Sequence, residues 1–259
     1  MKTEILKDLP FADYQKIDAL NSGKIRDALK SLRYMRRREL TPQADYNYTF
    51  EIGKAFAYLC ESWGMFKFNV KVGPTKTPGT AAWMKELEEN PDVTLLTGKD
   101  YSMVQAMYTA CEEAPEIFPL FKGERELTFT WTCDRTGAAL KGRCDNLVDL
   151  GNGEYHLVDM KTTSTIYKTQ WSIKDYRYDV QLAMYADGLR HNGYNITKCS
   201  NLFVEKETIL PEVLLHTYNQ DELATAWDDY ISAVEDIQHA RETDTYPGYL
   251  PTSQLLTGI

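Results

Sequence analysis

The sequence predicts a mixed α/β fold, helical at first and then built on a sheet flanked by helices. Three observations carry this. Residues 1–122 hold several segments with apolar residues at helical spacing. Near Gly123 the pattern changes to the alternation of half-buried strands, and three strands follow with turn residues between them. The chain then reads helix, strand, strand, helix, which layers helices onto a central sheet. At 259 residues, 43% hydrophobic and 26% charged, the composition is globular and excludes wholesale disorder or a fibre. No stretch forces a boundary. One domain over 1–259 is expected, with 1–122 as a mostly helical part and 123–259 as the core.

Taken in order, Ser22 is the candidate N-cap of a helix from Lys24 to Leu40, with Ile25, Leu29 and Leu32 as its buried stripe. Phe50 to Trp63, Ala81 to Glu89 and Tyr101 to Glu113 read as further helices, with a loop from Gly73 to Gly79. The strands are Glu126 to Trp131, Ala138 to Leu150 and Glu154 to Lys161, joined by Asp134-Arg135-Thr136-Gly137 and Gly151-Asn152-Gly153. A helix from Lys174 to His191, strands Asn201 to Glu207 and Val213 to Tyr218, and a helix from Gln220 to Arg241 complete the pattern.

With 29 Lys and Arg against 38 Asp and Glu, the net charge is −9, which speaks against coating nucleic acid through bulk charge. A local basic surface is a different matter. The first helix carries Arg33, Arg36 and Arg37 among seven basic residues and only two acids, a pattern that suits a phosphate-facing surface. Five scattered cysteines argue against a disulfide framework and fit a reducing compartment. No apolar run has the length of a membrane helix, and the opening residues lack the apolar region of a secretory signal. A cytoplasmic location is expected.

The chemistry concentrates on the strands. Asp159 and Lys161 are two apart on one strand and share a face. A three-residue turn centred on Asn152 places Asp145 opposite Asp159, with Cβ atoms about 4.5–5.5 Å apart. A four-residue turn at 134–137 places Glu126 opposite Asp145. Like charges facing one another destabilise a sheet unless a cation neutralises them. Glu126, Asp145 and Asp159 are oxygen donors suited to Mg²⁺ or Mn²⁺, which would act on a phosphodiester with Lys161 holding water or balancing charge. His156 falls on the opposite face from Asp159 and reads as structural.

Gly142-Arg143-Cys144-Asp145, Val158-Asp159-Met160-Lys161-Thr162-Thr163 and Gln181-Leu182-Ala183-Met184-Tyr185 occur in that order. Together they resemble the PD-(D/E)XK nuclease superfamily and, within it, the RecE (exonuclease VIII) group of phage-type recombination exonucleases. The likeness extends through Asp175 to Gln181 and Tyr185-Ala186-Asp187-Gly188, includes Ser22-Gly23-Lys24, and covers roughly 123–250; residues 41–122 match only loosely. It implies a restriction-endonuclease-like core and a Mg²⁺-dependent, ATP-independent exonuclease. Such an enzyme degrades one strand of linear double-stranded DNA 5′→3′, leaving 3′ single strands for an annealing protein of the RecT or Beta type. It also implies a ring-shaped homo-oligomer around DNA, in the cytoplasm of a bacterial host if phage-encoded. By motif, Asp145, Asp159 and the Met160 carbonyl are metal ligands, with Glu126 a further candidate. Lys161 is the catalytic lysine, and Gln181 and Tyr185 support the site or touch DNA. Arg33, Arg36, Arg37 and Arg143 are the candidate DNA contacts.

Two positions depart from that pattern. Ala57 stands where relatives carry a metal-binding His, which leaves one metal with fewer protein ligands or with Glu51 or Glu61 as a substitute, and Asp179 stands where relatives often have His. The alternatives are an endonuclease or single-strand nuclease on the same core, and a non-catalytic DNA-binding or assembly protein. No phosphate-binding G-x-x-x-x-G-K-[ST] loop or H-E-x-x-H zinc motif is present.

Overall fold

The computed structural model describes residues 2–41 and 46–249. In chain order its elements are β1 (Glu4–Leu6), α1 (Phe11–Lys16), α2 (Ser22–Lys30), α3 (Leu32–Leu40), α4 (Tyr48–Glu61) and α5 (Trp63–Asn69). Next come β2 (Val70–Val72), α6 (Ala81–Glu89), β3 (Thr94–Leu96), α7 (Gly98–Glu112), β4 (Glu124–Thr132), β5 (Ala139–Gly151) and β6 (Glu154–Thr163). The last described elements are α8 (Thr169–Tyr176), α9 (Tyr178–His191), β7 (Asn195–Glu205), β8 (Val213–Thr217) and α10 (Gln220–Thr243). The mixed α/β class is as the pattern predicts. The six-stranded sheet has the order β1-β4-β5-β6-β7-β8, and only β6 and β7 run parallel. The parallel step needs a crossover, which α8 and α9 provide.

The sheet separates two cores. Leu157 packs with Phe129, Trp131 and Leu140 against α2, α9 and α10, while its neighbour Val158 packs with Leu202 and Val204 against α4 and α7. Adjacent residues on opposite faces are what a period of two requires. Helix α9 sits close to the sheet because two glycines permit it. A Cβ on Gly142 would fall 2.4 Å from the Phe129 ring, and one on Gly188 would fall 2.6 Å from the Trp131 ring. Asp187 fixes the docked helix by accepting from Trp131 Nε1 and from the Tyr230 hydroxyl.

Several elements differ from the sequence-based expectation. Asn21, not Ser22, caps α2, accepting from the Lys24 N–H at 2.9 Å. The expected helix from Lys24 to Leu40 is two helices. Ser31 takes an extended backbone and its Oγ accepts from the Tyr34 N–H at 3.0 Å, so a good capping residue interrupts an otherwise helical pattern. The helix expected from Lys174 to His191 breaks at Arg177, which is left-handed at φ 50° and held by Asp179 and Asp229. Strand β7 begins at Asn195 rather than Asn201; its polar first half gains its hydrogen bonds from pairing with β6. Short β1 and the parallel pair β2–β3 lie in the part expected to be helical.

The turn after β5 is the two residues Asn152-Gly153, since Gly151 pairs with Glu154. A bulge between Asp149 and Gly151 absorbs one residue, so the rest of the ladder keeps the register that a three-residue turn would set, with Asn146 opposite Val158.

Candidate active site

Asp159 lies in the second half of β6 and is 1% exposed, so its charge must be met by protein groups. Three meet it. Lys161 Nζ is 2.5 Å from Oδ2, Asn201 Nδ2 donates to Oδ2 at 3.0 Å, and Gln181 Nε2 donates to Oδ1 at 2.9 Å. Asn201 stands directly across the parallel ladder from Asp159, and the Tyr218 hydroxyl donates to its Oδ1 at 2.6 Å. The carboxylate is therefore held from β6, β7 and α9 at once. Neither Asn201 nor Tyr218 was marked as functional from the sequence. The available signal was an asparagine inside a strand that must be buried on both faces.

Asp145 reaches the same place from β5. The β5–β6 ladder ends at Asn146–Val158, and beyond it the Met160 N–H goes to Asp145 Oδ2 at 2.6 Å. Burial pushes the Asp145 carboxyl well above its ordinary range, and the neighbouring Asp159 charge pushes it further; Lys161 and the Met160 N–H pull the other way. The sequence-derived register thus brings Asp145, Asp159 and Lys161 together.

Glu126 is near enough for its charge to help raise Asp145, but its carboxylate is turned to another partner. The β4–β5 register is the expected one, with Leu127 opposite Cys144 and Arg125 opposite Asn146. Glu126 itself drops out of the ladder at φ 50°, and its carboxylate accepts from Arg143 Nε at 2.6 Å. Arg143 also donates to the Leu9 carbonyl at 2.7 Å and lies over the Phe11 ring. Among the described residues no three His, Cys, Asp or Glu side chains converge as a ready-made ion cluster.

On α9, Tyr178, Gln181 and Tyr185 share a face at helical spacing. The Tyr178 ring lies 4.8 Å from Lys161 Nζ, and the Tyr185 hydroxyl meets both Gln181 Nε2 and Ser22 Oγ. Partial burial, and then the Asp159 charge, push the Tyr178 hydroxyl up to about 12, so it stays protonated. Gln181 Oε1 is buried and has no partner among the described residues. His156 is buried and hydrogen-bonded to Ser200 at 2.7 Å, as a structural residue would be. All five cysteines are free and buried.

Ala57 lies on α4, whose Cys60 is close enough for Asp145 to raise its pKa. On α3, Arg33 and Arg37 are exposed, and neither pairs with a carboxylate among the described residues. Arg36 instead pairs with Glu39 at 3.4 Å and packs on Tyr246. Asp179 is spent on Arg177.

A family model described as a PDDEXK-like domain of unknown function (DUF3799) matches residues 37–254. The chain belongs to this PDDEXK-like family. No curated protein matches it. A crystal structure described as a "putative exonuclease" from Eubacterium rectale covers 99% of both chains with a TM-score of 0.69 at 14% identity, a likeness of fold. A second solved structure, of SSO0001, covers 71% of this chain and 84% of its own at 15% identity, but its TM-score of 0.29 carries no argument. Among the described residues of the PDDEXK-like chain, no helix is long and apolar enough to cross a membrane.

PDDEXK-like nucleases generally work with divalent cations, and the residues present fit one. Half-buried Asp145 and buried Asp159 adjoin one another opposite a single ammonium, and a divalent cation between them would favour the ionised form of both. One or two carboxylates are the usual protein share of a Mg²⁺ site, the remaining positions going to water and substrate phosphate.

Proposed function

We propose that this PDDEXK-like domain is a metal-dependent nuclease and, more narrowly, an ATP-independent exonuclease that degrades one strand of linear double-stranded DNA 5′→3′. The observation that supports it best is the convergence of Asp145, Asp159 and Lys161 under Gln181. Asp145, Asp159 and the Met160 carbonyl would hold Mg²⁺, or Mn²⁺ in its place. The bound ion would polarise the phosphodiester and lower the pKa of its water.

The chain's own groups do the rest. Asn201 and Gln181 hold the Asp159 carboxylate so that it cannot rotate away when a substrate arrives. Lys161 Nζ, anchored on Asp159 and backed by the Tyr178 ring, presents its protons to the charge that develops on the phosphate oxygens. Gln181 Oε1 offers an acceptor to a water beside them. Arg33 and Arg37 would meet the DNA backbone, with Arg36 and Arg143 holding neighbouring structure in place through Glu39 and Glu126. A homo-oligomeric ring and a RecT- or Beta-type annealing partner belong to the same proposal and rest on the resemblance to the RecE group.

Linear duplex labelled at either 5′ or 3′ ends, compared with covalently closed circles, tests this. The expected result is Mg²⁺-dependent release from 5′ labels first, with circles intact. Cleavage of circles would replace the exonuclease with an endonuclease.

A further inference from the structure

Three large aromatic side chains stand in water on the segment that leaves the site. Tyr167 is 75% exposed, Trp171 63% and Tyr176 55%. All three lie between Lys161 at the end of β6 and Tyr178 at the start of α9. Tyr176 is connected to the site by contact. The Tyr176 ring stacks on Tyr178, with centroids 5.6 Å apart and planes inclined by 25°, and Tyr178 in turn lies 4.8 Å from Lys161 Nζ. Arg26 braces the pair, with its guanidinium 5.9 Å from the Tyr178 ring and Nη1 donating to the Tyr176 carbonyl at 3.1 Å. An unbroken run of aromatic contact therefore leads from the lysine of the site to solvent.

Cations accompany the rings. Lys168 and Lys174 are exposed, and neither pairs with a carboxylate among the described residues; Lys168 Nζ lies 5.8 Å from the Tyr167 ring. Asp175, directly after Lys174, is the one acid of residues 162–177. Rings left in water forgo the stabilisation that burial would bring, and three of them on one short segment beside the site mark a surface that binds something. Flat apolar faces interleaved with ammonium groups match one chemistry closely: nucleobases that stack, carried on phosphates that pair with amines. Bases inside a duplex are already stacked on one another, so the faces available are those of unpaired nucleotides.

We propose that Tyr176, with Trp171 and Tyr167, forms a stacking track that grips unpaired nucleotides next to the scissile phosphate without regard to sequence. The substrate class rests on the nuclease reading above; the track itself rests on the Tyr176–Tyr178 stack and on the exposure of Trp171 and Tyr167 along the same segment.

The test is fluorescence anisotropy of a labelled oligothymidine in EDTA, where no cleavage occurs, beside an abasic strand of the same length. Wild type is expected to bind the base-bearing strand about tenfold or more tightly than the abasic one, the scale of a single base–aromatic stack. Tyr176→Ala and Trp171→Ala should lose most of that difference, and Tyr176→Phe should keep it, since the ring and not the hydroxyl stacks. Equal affinity of folded wild type and both alanine variants for oligothymidine, within twofold, would overturn the proposal. Cleavage is scored separately with Mg²⁺. A wild type that cuts while both variants bind normally loses the track and keeps the nuclease. One that never cuts yet binds bases through Trp171 and Tyr176 keeps the track and loses the nuclease.

Discussion

Asn201 stands opposite Asp159 across the one parallel ladder of the sheet and donates to its Oδ2 at 3.0 Å. The parallel register puts a neutral donor where an apolar side chain would leave the carboxylate held only by Lys161 and Gln181. Asn201→Leu removes that donor and leaves the Tyr218 hydroxyl without its acceptor. We expect a stability loss of about 1–3 kcal/mol by denaturant titration. Nuclease kcat should fall about tenfold, with Tyr218→Phe losing less of both. An Asn201→Leu enzyme with unchanged kcat would show that Asp159 needs no such support.

Glu126 and Asp145 should separate in their effects. The Glu126 carboxylate is committed to Arg143, whereas Asp145 adjoins Asp159 and accepts from the Met160 N–H. Glu126→Gln is expected to keep activity within about tenfold, while Asp145→Asn loses roughly a hundredfold or more. Isothermal titration with Mn²⁺ should follow the same order. Equal losses would place Glu126 among the ion's ligands.

The close approach of α9 to the sheet predicts a sharp steric sensitivity. Gly142→Ala sets a methyl 2.4 Å from Phe129 and 3.1 Å from Tyr185, and Gly188→Ala sets one 2.6 Å from Trp131. Overpacking of this kind costs about 1–3 kcal/mol. Thermal melting should show both variants destabilised, and Gly142→Ala should in addition lower activity because Tyr185 is displaced from Gln181.

His156 predicts a pH dependence of stability. Burial, and then the charge of Lys198, push its imidazole down to about 4. In the unfolded chain it titrates near the ordinary value of about 6.5. Below that value the unfolded chain takes up a proton that the folded one declines. Stability therefore falls as pH drops from about 6.5 to about 4, and this contribution levels off beneath. The gap corresponds to about 3 kcal/mol. Chemical denaturation across this window should show a shallower slope for His156→Gln than for wild type.

Much of this architecture is legible in the chain because turns set registers. Asp134-Arg135-Thr136-Gly137 fixes β4 on β5 as expected. The Asn152-Gly153 turn with its bulge gives β5 on β6 the same register as the simpler turn that was assumed. Asp145, Asp159 and Lys161 meet for that reason. What is not legible depends on single backbone torsions or on distant pairing. Nothing in Arg125-Glu126-Leu127 announces a left-handed residue, so the turning of Glu126 toward Arg143 is invisible. Ser31 sits within helical periodicity, and only its extended backbone makes it a cap. Asn201 and Tyr218 acquire their roles through the β6–β7 pairing, which follows a long crossover and is not set by any local turn.

The most direct measurement is digestion of end-labelled linear duplex by wild type and Lys161→Ala, each with Mg²⁺ and with EDTA. The account predicts loss of duplex only for wild type with Mg²⁺, and a fall of at least about a hundredfold for the variant. Persistence of linear duplex with Mg²⁺ or Mn²⁺ at every wild-type concentration, or equal digestion by the folded Lys161→Ala protein, would contradict it.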